Sequence, residues 1–237
     1  MRIILLTLII CMYSSQIIAA CPNGFYSPKK LPFNINICAN YSIQKSFLNH
    51  AAIVIKSILD FDNDGTPDNR KVLKELSNSN ATFLVITSEK YARLYFNETQ
   101  NDNFTVVFEE EIVLDGSSFD PTLEEAFHLI TQFGYAYAYP KEFGEKKGSK
   151  ISNLMDIARG GFFKYVPRNY PVGAFFTYDD KSCDYQCQIT EFTYWAITSL
   201  RGQQESRDRE IREEWKLSTP NKMQEIAPDL VNLLSDK

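Results

Sequence analysis

The clearest alternation of apolar and polar positions lies in residues 120–135, D-P-T-L-E-E-A-F-H-L-I-T-Q-F-G-Y. At about 100° per residue, Leu123, Ala126, Phe127, Leu129, Ile130, Phe133 and Gly134 share one broad apolar arc. Glu124, Glu125, His128, Thr131, Gln132 and Tyr135 fill the other arc. Asp120 suits the N-cap and Pro121 the first helical position, where its missing N–H costs nothing. The pattern predicts one helix with a carboxylate-rich face.

Phe47, Ala51, Ile55 and Ile58 recur at helical spacing and predict a core helix over residues 43–59, with His50 on it in no assigned role. Residues 71–76 read as a short helix. The apolar, β-branched runs 82–87, 104–108 and 112–114 predict strands, with the acidic run 109–111 as a solvated edge between the last two. Residues 155–159 read as a helix ended by Gly160-Gly161. Residues 189–200 predict a helix apolar on nearly every side, and 207–237 predict amphipathic helix covering the core. A small sheet ahead of the 120–135 helix makes the fold class α+β, mainly helical.

Composition adds the compartment. Met1-Arg2, an apolar run over residues 3–12 and Ala19-Ala20 read as a secretory signal peptide, too short to span a bilayer, leaving residues 21–237 as one domain. No later apolar stretch is long enough for a transmembrane segment, and a net charge of −5 argues against nucleic acid as a partner. Cys11 departs with the signal peptide. Of three possible pairings of the remaining cysteines, Cys21–Cys38 with Cys183–Cys187 is the simplest. Asn40, Asn80, Asn97 and Asn103 each begin a glycosylation sequon. The competing reading is a bacterial lipoprotein, because Ile18-Ala19-Ala20-Cys21 resembles a lipobox.

Candidate chemistry begins at residues 60–68, D-F-D-N-D-G-T-P-D. The spacing sets Asp60, Asp62, Asp64 and Asp68 at positions one, three, five and nine of a calcium loop, with Thr66 at position seven and Gly65 at the sharp turn. Lys71 replaces the glutamate that would close an EF-hand, so the match is to a shorter extracellular type of loop. Aromatic residues crowd residues 135–178, where they either pack over a core or line a groove for peptide or carbohydrate. Asp179 and Asp180 are adjacent and cannot flank a sugar bond as a glycosidase pair must. Glu191 is the sole charged group of its apolar helix; a buried carboxylate needs a cation or a donor network. A metal shared with Glu124 and His128 is one candidate, and Arg159 the other.

The run E-E-A-F-H repeats the spacing of the metallopeptidase helix H-E-x-x-H, with the first histidine changed to Glu124. With a glutamate on a downstream helix, the chain resembles a divergent gluzincin-type zinc peptidase. The resemblance implies a zincin-like fold, Glu124, His128 and Glu191 as ligands of zinc or another divalent transition metal, and Glu125 as catalytic general base in peptide hydrolysis. E-E-A-F-H-L-I-T, M-D-I-A-R-G-G, T-Y-D-D-K-S-C-D-Y-Q-C and E-F-T-Y-W are also similar to a group of uncharacterised secreted proteins over most of residues 48–235. The alternative function is a non-catalytic, calcium-stabilised secreted module that binds peptide or carbohydrate.

Overall fold

The structure, a computed structural model, describes residues 21, 24–27, 32–96 and 103–236. The expected signal peptide and Asn97 lie outside the described residues. The architecture is α+β, as the pattern predicts. Four strands, β1 (Phe25–Tyr26), β2 (Asn36–Asn40), β3 (Thr82–Ile86) and β4 (Phe104–Phe108), form a mixed sheet in the order β1-β2-β3-β4. β1 runs antiparallel to β2, whereas β2, β3 and β4 are parallel, in register from Asn36 opposite Thr82 and Thr82 opposite Phe104.

Parallel strands need crossovers, and helices supply them. α1 (Lys45–Leu59) and α2 (Arg70–Asn78) connect β2 to β3, and α3 (Glu89–Phe96) connects β3 to β4. Every residue of β2 and β3 is buried because both faces are covered. Ile37, Ala39, Phe83 and Val85 join Leu48, Ala51, Ile55, Val72 and Leu76 in one core, while Cys38, Leu84 and Ile86 meet Phe25 and Ala92 in a smaller one on the opposite face.

α4 (Pro121–Ile130) lies between that first core and a second, C-terminal one: Ala126, Leu129 and Ile130 enter the former and Phe127 the latter. Asp120 caps the helix by accepting the Thr122 N–H at 3.1 Å, and also bonds His50, which fixes the start of α4 to α1. The helix then widens into a π-helical turn over Thr131–Tyr135 before α5 (Ala136–Ala138). Thr131 Oγ1 donates to the Phe127 carbonyl at 2.8 Å, a back-bond that competes with the regular ladder. Gly134 is required there, since a Cβ would stand 2.7 Å from Val72 Cγ1 of α2.

The second core is built from α6 (Lys150–Ala158), α7 (Tyr185–Leu200), α8 (Asp208–Ile211), α9 (Pro220–Ile226) and α10 (Pro228–Ser235). Trp215, Phe176, Phe192 and Met223 are among its fully buried side chains, and Trp215 Nε1 donates to Ser199 Oγ at 2.8 Å. The C-terminal region is three short helices instead of one amphipathic stretch, because Pro220 and Pro228 each start a new helix. Residues 112–114 form no strand; residues 109–111 coil into a 3₁₀ turn and the chain leaves the sheet. Both expected disulfides are present, with Cα–Cα distances of 5.7 Å for Cys21–Cys38 and 5.3 Å for Cys183–Cys187. A Cys21 sulfur bonded to Cys38 is not free to carry a lipid. Among the described residues no helix is long and apolar enough to cross a membrane.

Candidate metal centre

α4 and α7 pack side by side, and their facing turns bring together Glu124, His128 and Glu191. One donor atom from each lies within 4.8 Å of the others. His128 Nε2 stands 3.6 Å from Glu191 Oε2, and its Nδ1 stands 3.9 Å from Glu125 Oε2. The imidazole lies on the carboxylate-rich arc of the helix yet is only 8% exposed, held edge-on to the Tyr194 ring at 5.7 Å. Its Nε2 is buried without a hydrogen-bond partner, just beyond bonding distance of Glu191.

Electrostatics here are dominated by carboxylates withdrawn from water. Burial pushes Glu124 and Glu125 up to about 7, partly offset by His128. Burial alone presses His128 downward, but Glu191, Glu125 and Glu124 together outweigh it and hold the imidazole up at about 10. The protein's own groups thus gather negative charge around one cationic imidazolium, which is an environment that favours a cation.

Glu191 owes its placement to α7, which Asp184 caps by accepting the Cys187 N–H at 3.0 Å. Arg159, the other expected partner for Glu191, is elsewhere. Its guanidinium is wholly buried and donates to Asp156 at 2.6 Å and to Gln188 at 2.5 Å. Glu191 instead faces His128 and lies near Tyr178, whose pKa is raised by burial and by the Glu191 carboxylate. Sequence reasoning passed over Tyr178, because one tyrosine among many carries no spacing signal. It also passed over Glu145, a half-buried carboxylate that accepts from Thr190 Oγ1 at 2.7 Å and Gln186 Nε2 at 3.0 Å, and that senses His128.

Glu124 forms part of the wall of an open cleft of about 700 Å³, with Arg168, Tyr170, Tyr178, Trp195 and Arg207. Much of the aromatic segment packs as core instead: Phe143 and Phe176 are buried, and Tyr135 meets Phe143 edge-on at 5.4 Å. Asp179 lines the cleft, while Asp180 turns back to accept from Ser182 at 2.8 Å. Glu125 keeps about a quarter of its side chain exposed and accepts from the Val106 N–H of β4, the edge strand.

The remaining expected residues sort by environment. Asp60, Asp62 and Asp68 converge within 4.8 Å. Asp64 does not join them, because its Oδ1 accepts the N–H of Thr66 at 2.7 Å and also the Thr66 hydroxyl, so Thr66 is likewise turned to closing the loop. Asn40 is 4% exposed and its amide donates to Ser42 and Thr87 at 2.6 and 2.7 Å, which leaves a glycan no room. Asn80 is exposed and Asn103 partly so, and Asn103 Nδ2 donates to the Ser79 carbonyl at 2.8 Å. Comparisons with family models, with curated proteins and with solved structures give no match to this chain.

Proposed function

We propose that the protein is a secreted, metal-dependent hydrolase of the metallopeptidase type, holding zinc or another divalent transition metal on Glu124, His128 and Glu191. The observation that carries this reading is the convergence of Glu124, His128 and Glu191, one donor atom of each within 4.8 Å of the others, with the buried His128 Nε2 stopping 3.6 Å from Glu191 Oε2 and no hydrogen bond closing that gap. A buried nitrogen of that kind is costly unless something fills the gap, and an N, O, O donor set suits zinc, manganese or iron. A metal bound there supplies Lewis acidity toward a substrate carbonyl. Two carboxylates in the donor set temper that acidity relative to a set with two imidazoles.

The chain's own groups have definite tasks in this reading. Glu125 is the base that takes a proton from the attacking water and returns it to the leaving group at the solvent-exposed end of its carboxylate. Tyr178, near Glu191, helps to position its carboxylate. The cleft beside Glu124, with Tyr170, Tyr178 and Trp195 in its wall, accommodates a peptide. A second reading has its own support: Glu125 Oε2 also lies 3.9 Å from His128 Nδ1, where a carboxylate orients a ligating ring, so a structural metal in a peptide- or carbohydrate-binding module has the same parts.

Metal content and peptide hydrolysis of the secreted protein test both. Glu125→Gln is expected to keep one equivalent of metal and lose hydrolysis. His128→Ala is expected to lose the metal. Metal with no hydrolysis in wild type leaves the binding-module reading; no metal in wild type removes both.

A further inference from the structure

α1 ends at Leu59, and Asp60 opens the loop that returns the chain to α2. Asp60 is 1% exposed, and its two carboxylate oxygens have unequal surroundings. Oδ2 accepts from the Gly65 N–H at 3.1 Å and faces Lys56 Nζ at 3.1 Å. Oδ1 is buried with no hydrogen-bond partner. A carboxylate oxygen removed from water and given no donor is among the costlier things a protein can bury.

Asp60 belongs to a cluster in which one carboxylate oxygen each of Asp60, Asp62 and Asp68 lie within 4.8 Å of one another, the latter two exposed. Lys56 offsets only one of the three charges, its ammonium lying against Asp60 Oδ2 and Asn63 Oδ1. The backbone holds the three carboxylates in place. The Asp68 N–H donates to the Leu59 carbonyl at 2.8 Å, and Asp68 Oδ2 accepts the Phe61 N–H at 2.9 Å. Three like charges fixed this closely repel unless a cation sits among them.

We propose that Asp60, Asp62 and Asp68 form a calcium site, with Asp60 Oδ1 as the buried ligand and water completing the shell. The donors are all oxygen, which selects a hard cation over zinc. An irregular loop with two solvent-exposed ligands suits the variable coordination of calcium better than the strict octahedron of magnesium. Asp64 is not assigned as a ligand, because it lies outside the converging group with its Oδ1 turned to Thr66. The ion ties the end of α1 to the start of α2. None of the residues involved belongs to the Glu124, His128 and Glu191 centre, so the two sites stand or fall separately.

The test uses the full secreted chain, stripped with chelator and titrated with calcium or magnesium chloride by calorimetry and by thermal melting. One equivalent of calcium should bind with a dissociation constant of about 10⁻⁴ to 10⁻³ M, as in extracellular modules. At about 10 mM calcium the folded-to-unfolded ratio then rises roughly 10- to 100-fold, and the melting temperature by roughly 3 to 10 °C. Asp62→Asn, at an exposed position that folding does not depend on, should weaken binding on the order of tenfold or more. Asp64→Asn should leave it within about threefold. Lys56→Met should lower calcium-free stability without weakening binding. No heat and no melting shift in wild type, an Asp62→Asn variant that binds like wild type, or an equal response to magnesium would each overturn the assignment.

Discussion

Glu191→Gln separates a metal centre from a self-contained ion cluster, because the two respond to it in opposite ways. The change keeps the shape of the side chain and removes one charge. In the metal-free protein it deletes an attraction and a repulsion together. His128 Nε2 lies 3.6 Å from Glu191, worth about 4.6 kcal/mol at an effective dielectric constant of about 20. The nearest Glu124 oxygen lies within 4.8 Å, a repulsion of about 3.5 kcal/mol or more on the same basis. The difference is about 1 kcal/mol, so the metal-free melting temperature should move by only about 2 to 4 °C. With metal bound the balance changes. A doubly charged ion at about 2.1 Å attracts the Glu191 carboxylate about three times as strongly as the imidazolium does at 3.6 Å, and the amide forfeits most of that. Glu191→Gln should therefore lose the zinc-induced rise in melting temperature and the bound zinc, measured by scanning fluorimetry with and without chelator and by elemental analysis. Retention of one equivalent of zinc with an unchanged shift would refute the ligand role. A metal-insensitive wild type whose Glu191→Gln variant is destabilised by about 3 to 5 kcal/mol would mark the cluster as a buried ion-pair network.

Two further outcomes follow from the packing. Arg159→Leu removes a fully buried guanidinium bonded to Asp156 and Gln188 and should cost about 3 to 5 kcal/mol in urea unfolding, yet leave zinc content unchanged because Arg159 does not touch Glu191. The disulfides should differ in worth: on chain entropy, Cys183–Cys187, with a sequence separation of 4, contributes about 2 kcal/mol, and Cys21–Cys38, with a separation of 17, about 3 kcal/mol. Equal losses on replacing either pair with alanine would contradict that ordering.

The helices were legible where a single face is apolar. α1 and α4 announce themselves by spacing, and α4 begins at the Asp120-Pro121 signal, though its widening at Thr131–Tyr135 arises from the Thr131 back-bond and the close approach of α2 at Gly134, neither visible as a period. α7 starts earlier than the apolar run implies, since Asp184 caps a first turn rich in polar groups. β2 was missed altogether. Its N-I-C-A-N sequence places polar residues at both ends of a strand buried throughout, and Asn40 is tolerated there only because its carbonyl accepts the Thr87 N–H while its amide serves Ser42 and Thr87. Tertiary partners paid for that polarity, and no window along the chain contains them.

At the candidate metal centre the same limit appears in a sharper form. The one-turn offset between Glu124 and His128 is a property of a helix and can be read from the sequence. The convergence of Glu191 depends on how α7 crosses α4, which lies 60 residues away in the chain and is set by core packing of Phe127 against Tyr194. An isolated glutamate on an apolar helix does say that some partner exists. It cannot choose between a metal and Arg159, and only the second is removed by Asp156 and Gln188, which occupy the guanidinium. With Arg159 engaged there, the groups left near Glu191 are His128 and Tyr178. His128 Nε2 and the Glu191 carboxylate stop 3.6 Å apart with no hydrogen bond between them, and that gap is the strongest physical reason to look for a metal between the two helices.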